Sequence, residues 1–288
     1  MKVARSPAEL GTARRATAVG TFDGVHVGHR RVLDELVATG LTPTVVTFEP
    51  HPRTALGNRV ELLATPERRL ELLAEAGVEE TLVVPFDLEL ARLTPEEFAD
   101  RYLRAIGTEI VVEGVDFRFG TRRSGDLELL ERLGFDVRAV TLVEDVSSSA
   151  VRAQLNAGDL GAAARALGRP PEVEGVVVSG DARGGTLGFP TANLRVDAEL
   201  LVPPYGIYAG ATRGYRVAMS IGVNPHYGGE ERRLEAFLLD FEGDLYGERL
   251  VVELWERLRD ERAFADEAEL VAQIARDVER ARAAVAPA

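Results

Sequence analysis

The feature that most limits the fold is a single change of rhythm near residue 170. Before it, short apolar runs alternate with segments of helical period. "TAVGTF" leads to "HRRVLDELVATG", "TPTVVTF" to "TPERRLELLAEAG" and "ETLVVPF" to "TPEEFADRYLRAIG"; "EIVVEGV", "DLELLERLG" and "DVRAVTLV" follow. Threonine-proline pairs open helices and glycines close them, the signs of βα units laid on a parallel sheet. From about Val173 the runs shorten and alternate: "VEGVVVSG", "GIYAGAT", "YRVAMSIG", "RRLEAFLLDF" and "ERLVVELWERLR" are divided by glycine-rich turns. That texture predicts an antiparallel β-barrel, and "DEAELVAQIARDVERARAA" predicts a closing helix. The expected organisation is an α/β domain over 1–168 and a β-barrel domain over 169–288, abutting at Gly168–Pro171 without a low-complexity linker.

Composition closes off several function classes. With 288 residues the chain is long enough for two separately cored domains. It has no cysteine, which excludes a disulfide framework, a thiolate metal site and a cysteine nucleophile, and makes a reducing cytoplasm the expected location. No apolar stretch approaches the length of a membrane span, and "MKVARSPAEL" lacks the apolar core of a signal peptide. The formal net charge of −13 argues against a broad nucleic-acid footprint, so an anion site has to be built locally.

Two of the four histidines stand three apart in "TFDGVHVGHRRVLDEL", where a strand ends and a helix begins. A helix N-terminus offers free backbone N–H groups and a positive dipole end, and His26 and His29 add donors toward the same phosphate oxygens. Gly24 and Gly28 permit tight turning and close backbone approach. A lone H-x-x-H is more often a capped helix with surface histidines; strand context, glycines and the pair together favour a phosphate site.

"GTFDGVHVGH" at 20–29 closely resembles the H-x-G-H nucleotide-binding signature of the nucleotidylyltransferase superfamily, in the form found in prokaryotic bifunctional riboflavin kinase/FMN adenylyltransferases. "FEPHP" at 48–52, "GVDFRFGTRRSGD" at 114–126, "SSSAVRAQLNAGD" at 147–159 and "LGRP" at 167–170 follow in that family's order. "LGFPTANL" at 187–194, "NPHYGG" at 224–229 and "EAFLLDFEGDLYG" at 235–247 resemble its riboflavin kinase module. The resemblance implies a Rossmann-like α/β nucleotidylyltransferase domain followed by a riboflavin kinase β-barrel. It also implies two ATP- and Mg²⁺-dependent reactions, riboflavin to FMN and FMN to FAD with release of pyrophosphate, on small-molecule substrates without nucleic acid or membrane.

The same resemblance assigns roles residue by residue. His26 and His29 would stabilise the reacting phosphates; Ser147, Ser148, Ser149 and Arg152 match the second phosphate motif, with Ser149 standing where the family usually has threonine. Read without the resemblance, the serines would simply cap a helix. Asp116 and Arg118, just past an apolar strand, are either adenine-ribose or flavin contacts or a salt-bridged loop. His51 either fixes its loop or touches ligand. In the second half Glu235 matches the family's catalytic glutamate, a base for an alcohol that holds its proton tightly. Thr191 and Asn193 match its Mg²⁺ ligands, hard oxygens suited to that ion. Gly180, Arg183 and Gly188 belong to a glycine-rich nucleotide loop in which Gly185 replaces a common basic residue, and Phe237 replaces a common histidine. Two other readings stay open: a flavin-binding protein with little catalysis, and an enzyme keeping only the adenylyltransferase half, which Gly185 alone supports. Oligomeric state is not encoded in any feature of the sequence.

Overall fold

The computed structural model describes residues 1–180, 188–223 and 232–287, and the chain forms two compact units, Met1–Ser148 and Ser149–Ala288. In the first unit the strands are β1 (Lys2–Ala4), β2 (Arg15–Val19), β3 (Thr42–Glu49), β4 (Glu80–Pro85), β5 (Thr108–Gly114) and β6 (Asp136–Val140). They make one sheet in the order β1-β4-β3-β2-β5-β6, every pair parallel. The helices are α1 (Pro7–Leu10), α2 (Val27–Ala38), α3 (Pro52–Ala55), α4 (Pro66–Glu75), α5 (Pro95–Phe98) and α6 (Leu127–Arg132).

The sheet is parallel because its strands are apolar on both faces. All five residues of β2 are buried, and one core cluster gathers Val46, Leu82, Leu103 and Val111 while another gathers Leu33, Leu36, Val45 and Leu73. Threonine caps start α4 and α5 as the sequence predicts: Thr65 accepts from the Arg68 N–H, and Thr94 forms a full capping box with Glu97. At the N-terminal edge the fully buried Arg15 pairs with Glu80 and donates to the carbonyls of Leu10, Gly11 and Ile106. Strand order reverses between β2 and β5, and such a switch point opens a crevice at the C-terminal strand ends.

The second unit begins with α7 (Ser148–Asn156), whose first residue still belongs to the first unit, and α8 (Leu160–Leu167). Its strands are β7 (Glu172–Val178), β8 (Ala192–Arg195), β9 (Gly206–Thr212), β10 (Tyr215–Val223), β11 (Arg232–Leu238) and β12 (Arg249–Arg259). They close into a barrel in the order β10-β11-β8-β7-β12-β9, antiparallel throughout. Val173, Val177, Leu194, Tyr208, Met219, Leu234, Leu250 and Leu254 are all buried, and β12 buries alternate residues from Leu250 to Leu254. The closing helix α9 (Glu267–Ala283), capped by Asp266, lies against β9 and β10 with Ala281 buried.

Helix α8 packs on β12, and its Leu160, Ala163, Ala164 and Leu167 are buried. A fragment spanning 149–288 is therefore expected to unfold at a higher temperature than one spanning 169–288. Loss of two buried leucines is on the order of a few kcal/mol. Thermal unfolding of the two fragments checks this, and equal midpoints would contradict it.

Candidate functional site

The turn between β2 and α2 is tightly built. Gly24 has φ +78°, while Phe22 and Val25 hold φ 48° and 40°, positions where non-glycine residues each pay about 1–3 kcal/mol. The surroundings compensate. Buried Asp23 accepts through Oδ1 from the Leu63 and Ala64 N–H groups at 2.9 and 3.3 Å, tying the turn to the chain entering α4. The Thr21 carbonyl accepts from Thr47 Oγ1 and Arg69 Nη1, both at 3.3 Å, and the Asp23 carbonyl accepts from Ser148 Oγ at 3.0 Å. From the neighbouring strand, buried Glu113 accepts the Val19 N–H at the switch point.

This frame fixes the histidines. His26 is the N-cap of α2, its Nδ1 accepting from the His29 N–H at 3.3 Å. An accepting Nδ1 carries no proton, so the neutral ring keeps its proton on Nε2 as a donor. The two imidazoles stack, centroids 3.6 Å apart and 15° from parallel, with Phe22 at 5.1 Å from His29 on a tilted plane. Burial, and secondarily the neighbouring His26, push the His29 pKa well below the usual histidine value of 6.5. Among the described residues its Nδ1 is covered and unbonded, while the residue as a whole stays partly exposed.

Gly28 has a reason that the sequence did not disclose. A Cβ at that position would stand 3.1 Å from His26 Cε1 and 3.2 Å from its Nδ1, so glycine makes room for the capping imidazole. Ser148 joins this turn through its bond to the Asp23 carbonyl; Ser147 is exposed, and Ser149 and Arg152 follow on α7 in the second unit. Asp116 and Arg118 are exposed just past β5, and Arg118 Nη1 donates to the Phe117 carbonyl at 2.9 Å. His51 fixes its own loop, capping α3 by accepting from the Arg53 N–H at 3.2 Å.

In the barrel the candidate residues sit on the outer wall. Leu234, Ala236 and Leu238 point inward, so the alternate residues Arg233, Glu235 and Phe237 face outward. Register places Glu235 opposite Asn193 on one side and opposite Ser220 on the other, a row of three oxygen-bearing residues across β8, β11 and β10. Arg233 forms a 3.1 Å ion pair with Glu235. A Cβ at Gly180 would displace the Asn193 side-chain amide from its present position, and Gly188 has φ +87°. Thr191 directly precedes β8. Phe237 meets Phe189 edge-on at 5.6 Å, so the aromatic replacement packs. Arg183, Gly185 and the "NPHYGG" stretch lie outside the described residues. Ser220 escaped the reading of the sequence; the signal was there, one hydroxyl in the apolar run "VAMSIG", but its partners appear only with the barrel register.

Comparisons with known proteins match both halves of the chain. A family described as FAD synthetase matches residues 11–153, and one described as riboflavin kinase matches residues 167–285. The chain is 34% identical to the bifunctional riboflavin kinase/FMN adenylyltransferase of Listeria monocytogenes over 93% of this chain and 92% of that one. The chain belongs to this family. The Escherichia coli K12 relative of the same name is 39% identical over 92% of this chain and 90% of its own. The solved structure of a protein described as a macrolide-efflux protein from Streptococcus pneumoniae shares the whole architecture, with a TM-score of 0.86 and 32% identity over 97% of this chain and 98% of that one. Among the described residues of the present family member, no helix is long and apolar enough to cross a membrane.

Glu113 yields a prediction of opposite sign to that of His29. Burial raises its pKa well above 4.5 against the lowering effect of the Val19 and Gly114 N–H groups, with Asp116 adding to the rise. Its contribution to stability is therefore complete below the ordinary carboxylate range and is lost as pH rises through the raised value. His29, neutral when folded, contributes stability that is lost as pH falls below 6.5. Glu113→Gln keeps an acceptor for Val19 without an ionisable group, so it should melt with wild type near pH 4.5 and above it at pH 8. A variant that melts lower than wild type at pH 8 would contradict the assignment.

Proposed function

We propose that the two reactions of this family are carried by the two sites described above: adenylylation of FMN at the β2–α2 turn, and phosphorylation of riboflavin on the outer wall of the barrel. The substrates are the small molecules ATP, riboflavin and FMN, with FAD and pyrophosphate released by the first domain; the working location is the cytoplasm. The activity boundary lies at 168/169.

In the adenylylation step an FMN phosphate oxygen attacks the α-phosphorus of ATP, and the bond from that phosphorus to the β-phosphate oxygen breaks to release pyrophosphate. A phosphate is already ionised at neutral pH, so no base is needed; the work is alignment and charge stabilisation. His26 Nε2–H and the open edge of His29 donate to phosphate oxygens beside the α2 N-terminus, reached through the close approach that Gly24 and Gly28 permit. Ser147, Ser148, Ser149 and Arg152 supply the second set of donors, and Asp116 and Arg118 at the crevice rim contact the nucleotide or the flavin.

In the kinase step the ribityl hydroxyl attacks the γ-phosphorus of ATP and ADP leaves. The alcohol must lose its proton, and Glu235 is the acceptor, held by its ion pair with Arg233. The observation that carries this reading is the register placing Glu235 directly opposite Asn193. Thr191 and Asn193 are neutral oxygen donors, and among the described residues neither side chain is occupied by a hydrogen bond. That donor set fits Mg²⁺, which takes hard oxygens alongside water and substrate phosphates. Bound there, the ion would neutralise phosphate charge next to the base. Gly180, Arg183 and Gly188 belong to the stretch that would cradle the nucleotide.

One crossed experiment tests both assignments. His29→Asn should slow FMN to FAD by about 10²-fold or more, the scale of losing one directed donor, and leave riboflavin to FMN unchanged. Glu235→Gln should do the reverse, collapsing riboflavin phosphorylation by about 10²-fold or more while supplied FMN is adenylylated at the wild-type rate. Initial rates of both reactions on both variants are the measurement. Equal retention of both rates in a variant would remove its residue from the mechanism.

A further inference from the structure

The neutrality of His29 raises a question of charge. His26 uses its Nδ1 lone pair on the His29 N–H, burial keeps His29 unprotonated, and stacking at 3.6 Å leaves no room for two cations. Yet a site for FMN and ATP gathers several negative charges, in a chain whose net charge is −13.

One guanidinium lies directly beneath this turn. Arg69, in the second turn of α4, is 5% exposed. Its Nη1 donates to the Thr21 carbonyl at 3.3 Å, and its Nε is buried with no hydrogen-bond partner among the described residues. Arg257 shares a buried, unbonded Nε, but its Nη2 reaches both the Tyr205 carbonyl and the Asp260 carboxylate, an ion pair of the kind Arg69 lacks among the described residues. Arg15, equally buried in the same unit, shows the ordinary case: Glu80 and a set of backbone carbonyls take up its fork. Three carboxylates face Arg69: Asp23 from the turn, Glu49 from the end of β3 and Glu67 from its own helix. Among the described residues it forms an ion pair with none of them, and Asp23 Oδ1 is engaged by backbone N–H groups. A guanidinium remains charged even when buried. Among the described residues the turn therefore rests on a cation with carboxylates around it but no direct ion pair.

We propose that Arg69 is a positioning residue of the adenylyl-transfer site, a standing cation that holds the Thr21 carbonyl and makes the turn from Gly20 to His29 attractive to the phosphates of FMN and ATP. This rests on the reading of that turn as the phosphate site. Arg69 acts through the turn and through its field, and the low-dielectric surroundings extend the reach of that field.

The test uses the full chain, with FMN and ATP in the presence of Mg²⁺ and initial rates taken over a range of ATP concentrations. Arg69→Met, which keeps bulk without charge, should lower kcat/KM for FMN adenylylation about tenfold or more, the lower end of what a focused field contributes. Arg69→Lys should restore it to within about threefold, because the charge rather than the fork is required. Riboflavin phosphorylation should be unchanged in both. Arg69→Met within about twofold of wild type would overturn the proposal, as would an Arg69→Lys variant as slow as Arg69→Met when both melt like wild type. Should Arg69→Met not fold, Arg69→Gln takes its place; it keeps a donor for the Thr21 carbonyl, and the same loss is expected, with a full rate overturning the proposal. His29→Asn measured in parallel separates the two levels. A slow His29→Asn beside an unaffected Arg69→Met sinks only the role of Arg69, and full rates in both sink the phosphate site itself.

Discussion

The hydrogen bond from the His29 backbone N–H to His26 Nδ1 ties the first residue of the motif to the helix that follows it, and much of the surrounding unit is arranged to keep it in place. To fold its ring over the helix start, His26 needs a neighbour without a side chain, which Gly28 provides. To reach that position the chain passes through left-handed backbone at Phe22, Gly24 and Val25. Four separate elements then fasten the turn: Asp23 to the entry of α4, Thr47 from β3, Glu113 from β5 and Ser148 from the start of α7. Strain of this kind persists only where the surroundings over-determine it, and it concentrates where a ligand must be met in one geometry.

The two halves of the chain solve two different chemical problems with different groups. An ionised phosphate nucleophile needs donors and field, which in the proposed site a stacked imidazole pair over a buried guanidinium would supply. An alcohol nucleophile needs a proton acceptor, and the barrel presents a carboxylate in line with an amide and a hydroxyl on its outer wall. The barrel interior is filled by Leu234, Ala236, Met219 and their neighbours, so alternation along each strand separates the structural face from the chemical one.

Much of this was legible in the sequence because period and punctuation are local. The parallel strands at "TPTVVTF", "ETLVVPF" and "EIVVEGV", the threonine caps of α4 and α5 and the barrel strands from Val173 onward all follow from residues adjacent in the chain. What stayed hidden depends on distant partners. The three-residue edge strand β1 is defined only by pairing with β4, and α8 joins the second unit only through β12. Arg69 reads as one more charge on an amphipathic helix until Thr21 is found above it, and Glu113 reads as a break in an apolar strand until Val19 is found beside it. Ser220 likewise waits for the register that aligns it with Glu235.

The account turns on the claim that packing holds His29 neutral, so that positive charge at the proposed adenylyl-transfer site comes from elsewhere. Following the side-chain nitrogen resonances of His29 in isotopically labelled full-length protein, from pH 8 downward, measures this directly. The account predicts that His29 remains neutral through 6.5, the usual midpoint for histidine, and gains its proton only well below it. A midpoint at or above 6.5 would mean that the imidazole itself carries the charge, and would contradict the account.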